Sequence, residues 1–385
     1  MPPGPAPERQ RSRRARWALI VASSALALIA VVAVVSWLLA SALLDPHHDL
    51  VKDNVETLAV EPGYVVLART KASARAGVYG LDWPAGHAIV GEVSAKSTSS
   101  VTRRLLALRG PLAPHVKVGV DPDVWEGDPM SALGIPFRAV SYPDPLGPMP
   151  SWFMPGRGAT WVLFVHGLDG KRAGGLRPLR ALHAASLPTL LISYRNDSGS
   201  PRSPDGHIHL GMTEWQDLDA AARWAVAQGA RRFVLYGDSM GGSIVTRFLH
   251  LSPLASRVAA MVLDAPVLDW ASVIDNTVSR EHVPFLGPPL RWMIGARITV
   301  DWSALDEISQ ARDFRLPILL FQGEEDPLVP PSDSRAFARA APGPVTYVAV
   351  AGAGHIESWN ASPAAYERDL RTFLTRLQQR VATEP

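Results

Sequence analysis

Gly237-Asp238-Ser239-Met240-Gly241 places a serine between two glycines, and the segments on either side give the pentapeptide its meaning. Ahead of it, Arg232-Phe233-Val234-Leu235-Tyr236 is a short apolar run rich in strand formers. Behind it, Gly242-Ser243-Ile244-Val245-Thr246-Arg247-Phe248-Leu249 has the apolar spacing of an amphipathic helix. A serine at such a strand-to-helix corner sits on strained backbone, with its hydroxyl exposed and the next amide aimed at a reacting carbonyl. The flanking glycines leave room where side chains would collide across the turn. The corner predicts acyl-bond hydrolysis. A five-residue pattern arises by chance too readily to stand alone, so the rest of the chain has to agree with it.

The first 16 residues carry Arg9, Arg11, Arg13, Arg14 and Arg16 against Glu8. No charged residue then occurs from Trp17 to Leu44, a run of 28 positions. That length crosses a hydrocarbon core of about 30 Å with some tilt. Trp17 and Trp37 lie towards its two ends, where interface-seeking rings belong. The arginines predict a cytoplasmic leader at 1–16, a transmembrane anchor at 17–44 and an exported remainder. A signal peptide cleaved near Ala42 is the rival, since Ala40-Ser41-Ala42 has small-x-small form. The apolar run is nevertheless longer than an ordinary signal core of about 7–15 residues. A retained anchor is the expectation.

The whole chain carries a net charge of +2 and the leader +4, which leaves −2 for residues 17–385. The basic excess therefore belongs to the membrane flank, and a nucleic-acid partner is not expected. With no cysteine, the chain forms no disulfide, no thiolate nucleophile and no Cys-ligated metal site.

Residues 46–135 hold short β-prone segments such as Gly63–Leu67 and His87–Val93, punctuated by Pro and Gly. They predict a small β-rich or mixed module without a chemical motif. From 136 to 385 strand and helix signals alternate, as in a mostly parallel sheet covered by helices on both faces. Strands are expected at Thr160–Val165, Thr189–Ser193, Val258–Leu263, Pro317–Gln322 and Val345–Val350. One helix is expected from Thr213, as cap, to Gln228, and a last one at Pro363–Arg380 behind Ser362. An insertion at about 267–313, with Trp270, Trp292 and Trp302, reads as a cap over the site. Its Trp residues suit either an acyl pocket or packing on the sheet.

A serine hydroxyl needs a base, and the base needs an orienting acid. In strand–turn–helix serine enzymes the acid and the histidine follow the serine in that order, each after a sheet strand. Asp326 follows the strand ending near Gln322, within Gly323-Glu324-Glu325-Asp326-Pro327. His355 ends Gly352-Ala353-Gly354-His355 after the strand at Val350. The spacings are 87 and 29 residues. Ser239, Asp326 and His355 are thus the expected nucleophile, acid and base, with Glu324, Glu325 and Asp264 in reserve as acids. His166-Gly167-Leu168 follows another strand, so the backbone N–H groups of Leu168 and Met240 are the expected oxyanion hole. Such a donor is worth about 2.7–4 kcal/mol. His166 itself is expected to be structural. His207-Ile208-His209 lacks a third ligand at sensible spacing, so no metal is expected. His47-His48 reads as a solvated flank.

Taken together, residues from about 136 to 380 resemble the serine-dependent α/β-hydrolase superfamily, and most of all its single-pass, membrane-anchored members of uncharacterised function. The blocks that carry the likeness are Trp161–Gly167, Tyr194-Arg195-Asn196-Asp197, Gly237–Gly242, Leu263-Asp264-Ala265-Pro266, Gly323–Pro330 and Gly352–His355. The resemblance implies the α/β-hydrolase fold and a cofactor-free esterase, lipase, thioesterase or peptidase. It implies a small-molecule or lipid-like acyl substrate and leaves the oligomeric state open. A catalytically idle binding protein of the same fold would show a broken Ser–Asp–His set.

Overall fold

The computed structural model describes residues 7–47 and 54–383, with side chains from Arg16 to His47 and from Asn54 to Val381. The first six leader residues, His48 and the last two residues lie outside the described residues. Leader and apolar run form one helix, α1 (Pro7–Leu44), which therefore starts well before Trp17. Residues 16–31 are exposed on every side. Ser36, Ala40 and Leu44, one per turn, are buried. α1 is long and apolar enough to cross a membrane.

The following module is a closed barrel of β1 (Val55–Glu61), β2 (Tyr64–Ala68), β3 (Tyr79–Trp83), β4 (Gly86–Lys96), β5 (Ser100–Arg109) and β6 (Lys117–Asp121). Its ring order is β1-β2-β5-β4-β3-β6, and antiparallel pairing of Val55 with Val118 closes it. Closure removes the open edges that six short strands would otherwise present. Val55, Val65, Leu67, Tyr79, Leu81, Val90 and Val118 fill the interior. Among the buried groups, the Arg103 guanidinium donates to the carbonyls of Ser73, Arg75, Gly77 and Gly91, gathering a loop that no strand ladder satisfies. The module is a β structure, with only the short helix α2 (Pro129–Leu133) after it.

The rest is an eight-stranded sheet of β7 (Arg138–Tyr142), β8 (Met149–Met154), β9 (Thr160–Val165), β10 (Thr189–Ile192), β11 (Arg232–Asp238), β12 (Val258–Asp264), β13 (Ile318–Gly323) and β14 (Val345–Val350). The order is β14-β13-β12-β11-β9-β10-β8-β7, parallel from β14 to β10 and antiparallel at β8 and β7. β9, β10, β11 and β13 are buried almost throughout, as strands covered on both faces must be. Strand alternation sorts the side chains into two layers. Leu163, Leu235, Leu263 and Leu320 face one core, and Val162, Val234, Val262 and Leu319 face the other.

α3 (Leu176–Ala184) and α10 (Pro363–Thr383) cover the second core. The first is covered by α4 (Trp215–Ala227), α5 (Met240–Leu251), α6 (Trp270–Arg280) and α7 (Gly287–Ile298). α8 (Pro331–Ala340) packs beside β13 and β14, and α9 (Ser358–Ala361) leads into α10. Thr213 does not cap α4. The buried Glu214 carboxylate accepts from the amides of His209, Gly211 and Thr213 instead, and α4 begins at Trp215. α10 runs past Arg380 to Thr383. The insertion folds mainly as α6 and α7. Trp270 is buried in it and donates to Leu210 O, whereas Trp292 is exposed.

The barrel is seated on the loop after β14. Val78 N donates to Asn360 O, and Asn360 Nδ2 returns bonds to Val78 O and Pro122 O at 2.8 and 2.9 Å. Trp125 meets Trp359 edge-on with centroids 5.0 Å apart. Asn360→Ala would orphan buried carbonyls of the barrel. It is expected to lower the free energy of unfolding by about 1–3 kcal/mol, measured by urea denaturation of the full chain in detergent.

Candidate active site

The site lies where the chain order reverses. β9 leads outward to β10 on one side, and β11 leads to β12, β13 and β14 on the other. A crevice opens at the carboxyl ends of strands at such a point. Ser239 stands there after β11, with φ 52° and ψ −118°, a conformation a side-chain-bearing residue rarely adopts. Backbone bonds hold it in place. Ser239 N donates to Asp264 O at 3.0 Å, and Gly242 N and Val267 N donate to Ser239 O. A Cβ on Gly167 would stand 2.8 Å from Ser239 Cβ, so the His166-Gly167-Leu168 turn lies directly against the serine. Met240, with the other expected oxyanion N–H, opens α5.

His355 is brought in by the loop after β14. Its Nε2 lies 2.8 Å from Ser239 Oγ and its Nδ1 2.8 Å from Asp326 Oδ2. The Asp326 carboxylate is fully engaged. Oδ1 accepts from Leu328 N and Val329 N, and Oδ2 also accepts from Gln322 Nε2 at 3.1 Å. Gln322 is fixed in turn by the Ser334 hydroxyl at 2.7 Å. Glu324 and Glu325 are exposed, and Asp264 accepts from the Ser358 hydroxyl at 2.7 Å. It is Asp326 that meets the imidazole.

His166 is buried and stacked on Tyr194, with Nε2 2.8 Å from Asp197 Oδ2 and Nδ1 2.9 Å from Gly167 O. Asp197 also accepts from Tyr194 N, so the block 194–197 braces the turn after β9. Burial opposes charge on His166, but Asp197, the Gly167 carbonyl and Asp123 together push the imidazole up. His209 pairs with Asp205, and His207 Nδ1 lies 3.0 Å from Asp45. His47 is tied through its amide, which donates to Asp169 Oδ1 at 2.8 Å. A small cleft beside the His166-Gly167-Leu168 turn is lined by residues that include Pro46, Asp169, Gly170, Tyr194, Ile208 and Met240.

Two family models match the chain. One, described as "Domain of unknown function (DUF8805)", covers residues 56–121, the barrel. The other, "Prolyl oligopeptidase family", covers residues 203–380, which hold the serine corner, the acid and the histidine. The esterase Pf2001 of Pyrococcus furiosus has the same fold, with a TM-score of 0.53 and 18% identity over 66% of this chain and 95% of that one. The chain has the α/β-hydrolase fold, and the family match over residues 203–380 supports a serine hydrolase. An uncharacterized protein of Mycobacterium tuberculosis is 29% identical to the hydrolase over 231 residues, 58% of this chain and 74% of the relative. Dipeptidyl aminopeptidase BIII of Pseudoxanthomonas mexicana is 25% identical over 218 residues, covering half of this chain and 30% of that enzyme.

Sequence reasoning missed a buried charge network behind the serine. Arg177 of α3 reaches Asp238 Oδ2 at 3.2 Å, Asp123 of the barrel side at 3.4 Å and Ile356 O at 2.6 Å. It also missed Glu357, which accepts from Gly354 N next to His355 and is paired with Arg75 and Tyr79 of the barrel. Asp238 inside the motif was the available clue, because a carboxylate beside the serine needs a cation.

Burial pushes the Asp264 carboxyl from 3.8 up to about 6, although Ser358 and Arg177 pull the other way. The folded chain thus holds this proton more tightly than the unfolded chain. Stability from this group falls as pH rises through that interval, and the penalty persists at neutral pH. Asp264→Asn removes the ionisation and keeps an acceptor for Ser358. Its melting temperature relative to the parent is expected to be higher at pH 7.5 than at pH 5. An equal gap at both values would assign the titration to another group.

Proposed function

We propose that the hydrolase is a membrane-anchored enzyme that cleaves ester-like acyl bonds through an acyl-enzyme. Ser239 Oγ attacks the carbonyl carbon while its proton passes to His355 Nε2. Asp326 holds the ring with Nδ1–H pointing at Oδ2 and stabilises the imidazolium. The amides of Leu168 and Met240 receive the negative charge that develops on the carbonyl oxygen. His355 then protonates the leaving alkoxide, and in the second half it deprotonates the water that frees Ser239. The observation that carries this reading is the pair of 2.8 Å contacts that join Ser239, His355 and Asp326 in one line.

Anchoring is supported by α1. Ala40 and Leu44 belong to the main core, so cleavage after Ala42 would pull Ala40 out of it. On this reading the helix is retained, with the arginine-rich end cytoplasmic and the catalytic domain on the exported side. No nucleic-acid partner is proposed. A peptidase is the second reading, favoured by the family model over residues 203–380.

A membrane-impermeant fluorophosphonate tests chemistry and sidedness together. Intact cells expressing the full chain are expected to show labelling that Ser239→Ala abolishes and His355→Ala reduces by at least about 100-fold. Labelling only after lysis would reverse the orientation. Labelling of the parent no stronger than that of Ser239→Ala would remove the catalytic reading. With p-nitrophenyl esters and aminoacyl anilides side by side, faster anilide cleavage would select the peptidase.

A further inference from the structure

α7 lies beside α1, and its outward face and the turn before it carry the most exposed aromatic side chains described outside α1. Trp292 is 70% exposed, and Phe285, in the turn that leads into α7, is 64% exposed. Leu290, Ile294 and Ile298 form the buried stripe of α7. Trp292, two residues after Leu290 at 100° per residue, therefore projects from the opposite side. Isolated exposed apolar groups need no explanation. Two large rings, on and just before a helix packed against a membrane-length helix, do.

α7 is fastened to α1. Arg297 donates to Ser41 Oγ at 2.7 Å and to Asp45 Oδ1 at 3.1 Å, and its guanidinium stands 5.8 Å from the Trp37 ring centre. Ile208 N donates to Leu44 O at 2.8 Å, and His47 N holds Asp169 of the oxyanion turn. Cover on α1 reaches back from Leu44 to Val32.

Helix length fixes the depth at which this happens. Residues 16–31, free on all sides, rise only about 24 Å. A hydrocarbon core of about 30 Å takes about 20 residues and so runs on to near Ser36. Membrane and protein therefore overlap by about one turn of α1, at Val32–Ser36. The flank of the domain that covers this turn stands at headgroup level.

We infer that α7 and the turn before it are a bilayer-contact surface, with Trp292 and Phe285 seated at the boundary between headgroups and acyl chains. The inference rests on reading α1 as a membrane span. Amphipathic aromatic rings favour that boundary, and a helix with one protein-facing and one ring-bearing side lies along it. The partner is the lipid surface itself, on the side where α1 emerges. Two contacts, the α1 span and the α7 rings, then fix the tilt of the domain, which a single helix could not do. The Pro46–Met240 cleft, beside the end of α1, is thereby held close to the headgroups.

The chain has no cysteine, so single labels can be introduced cleanly. Trp292→Cys, Phe285→Cys, Val31→Cys and Met130→Cys are made in the full chain and labelled with nitrobenzoxadiazole. Each is placed in phosphatidylcholine–phosphatidylglycerol nanodiscs with and without doxyl-labelled phosphatidylcholine. Val31 reports the span, and Met130, exposed beside the barrel, reports water. Labels at 285 and 292 are expected to be blue-shifted and quenched at least about twofold by doxyl lipid, with the label at 130 unaffected. Quenching at 31 combined with water-like behaviour at both 285 and 292 would overturn the contact surface and leave the span intact. No quenching at 31 would overturn the span and the inference with it. A concentration-dependent blue shift at 285 and 292 without quenching would show a second copy of the chain on this face, and would also overturn it.

Discussion

Close approach between the end of β9 and the start of α5 is the constraint on which the site depends. A Cβ on Gly241 would stand far inside van der Waals contact of Val165 O. The glycine lets α5 begin against the neighbouring strand, which turns the chain sharply enough to drive Ser239 to φ 52°. The same approach lays the Gly167 turn on the serine. Ser239 and the proposed oxyanion donors are thus set by one packing contact, and strain at Ser239 is offset by the bonds that Asp264, Gly242 and Val267 make around it. His355 arrives separately, on a loop whose far end is held by the barrel through Glu357 and Asn360.

Much of the hydrolase core could be read from the sequence because its strands are buried on both faces. Such strands appear as unbroken apolar runs, so β9, β11, β12 and β13 fall within a residue or two of expectation. Asp326 and His355 were visible for a related reason, as polar residues in Gly- or Pro-marked loops just after those runs. β7 and β8 gave no such signal. Arg138–Tyr142 is largely exposed at the sheet edge, and exposed strands carry little apolar pattern.

Barrel closure was illegible on different grounds. It depends on β1 meeting β6, some sixty residues later, and no local pattern reports a pairing at that distance. Arg103 shows the same limit. A charged residue in a strand reads as solvent-facing, yet here it is buried because four carbonyls need a donor. The docked side of α1 was hidden too. Ser36, Ala40 and Leu44 look like any small or apolar residues in a lipid-facing run, and only tertiary packing separates a stripe that meets protein from one that meets lipid. Thr213 was misread because a short polar residue before a helix is the usual cap, whereas a buried Glu214 had already taken the loop amides.

Burial of Ala40 and Leu44 in the main core has a consequence for how the chain can be divided. The last turns of α1 are as much a structural member of the catalytic domain as α7 is. A fragment that starts after Leu44 would expose an apolar trough along α7 and leave Arg297 without Ser41. The edge of the folded domain therefore falls inside the helix, near Val32, and not at the point where the apolar run ends.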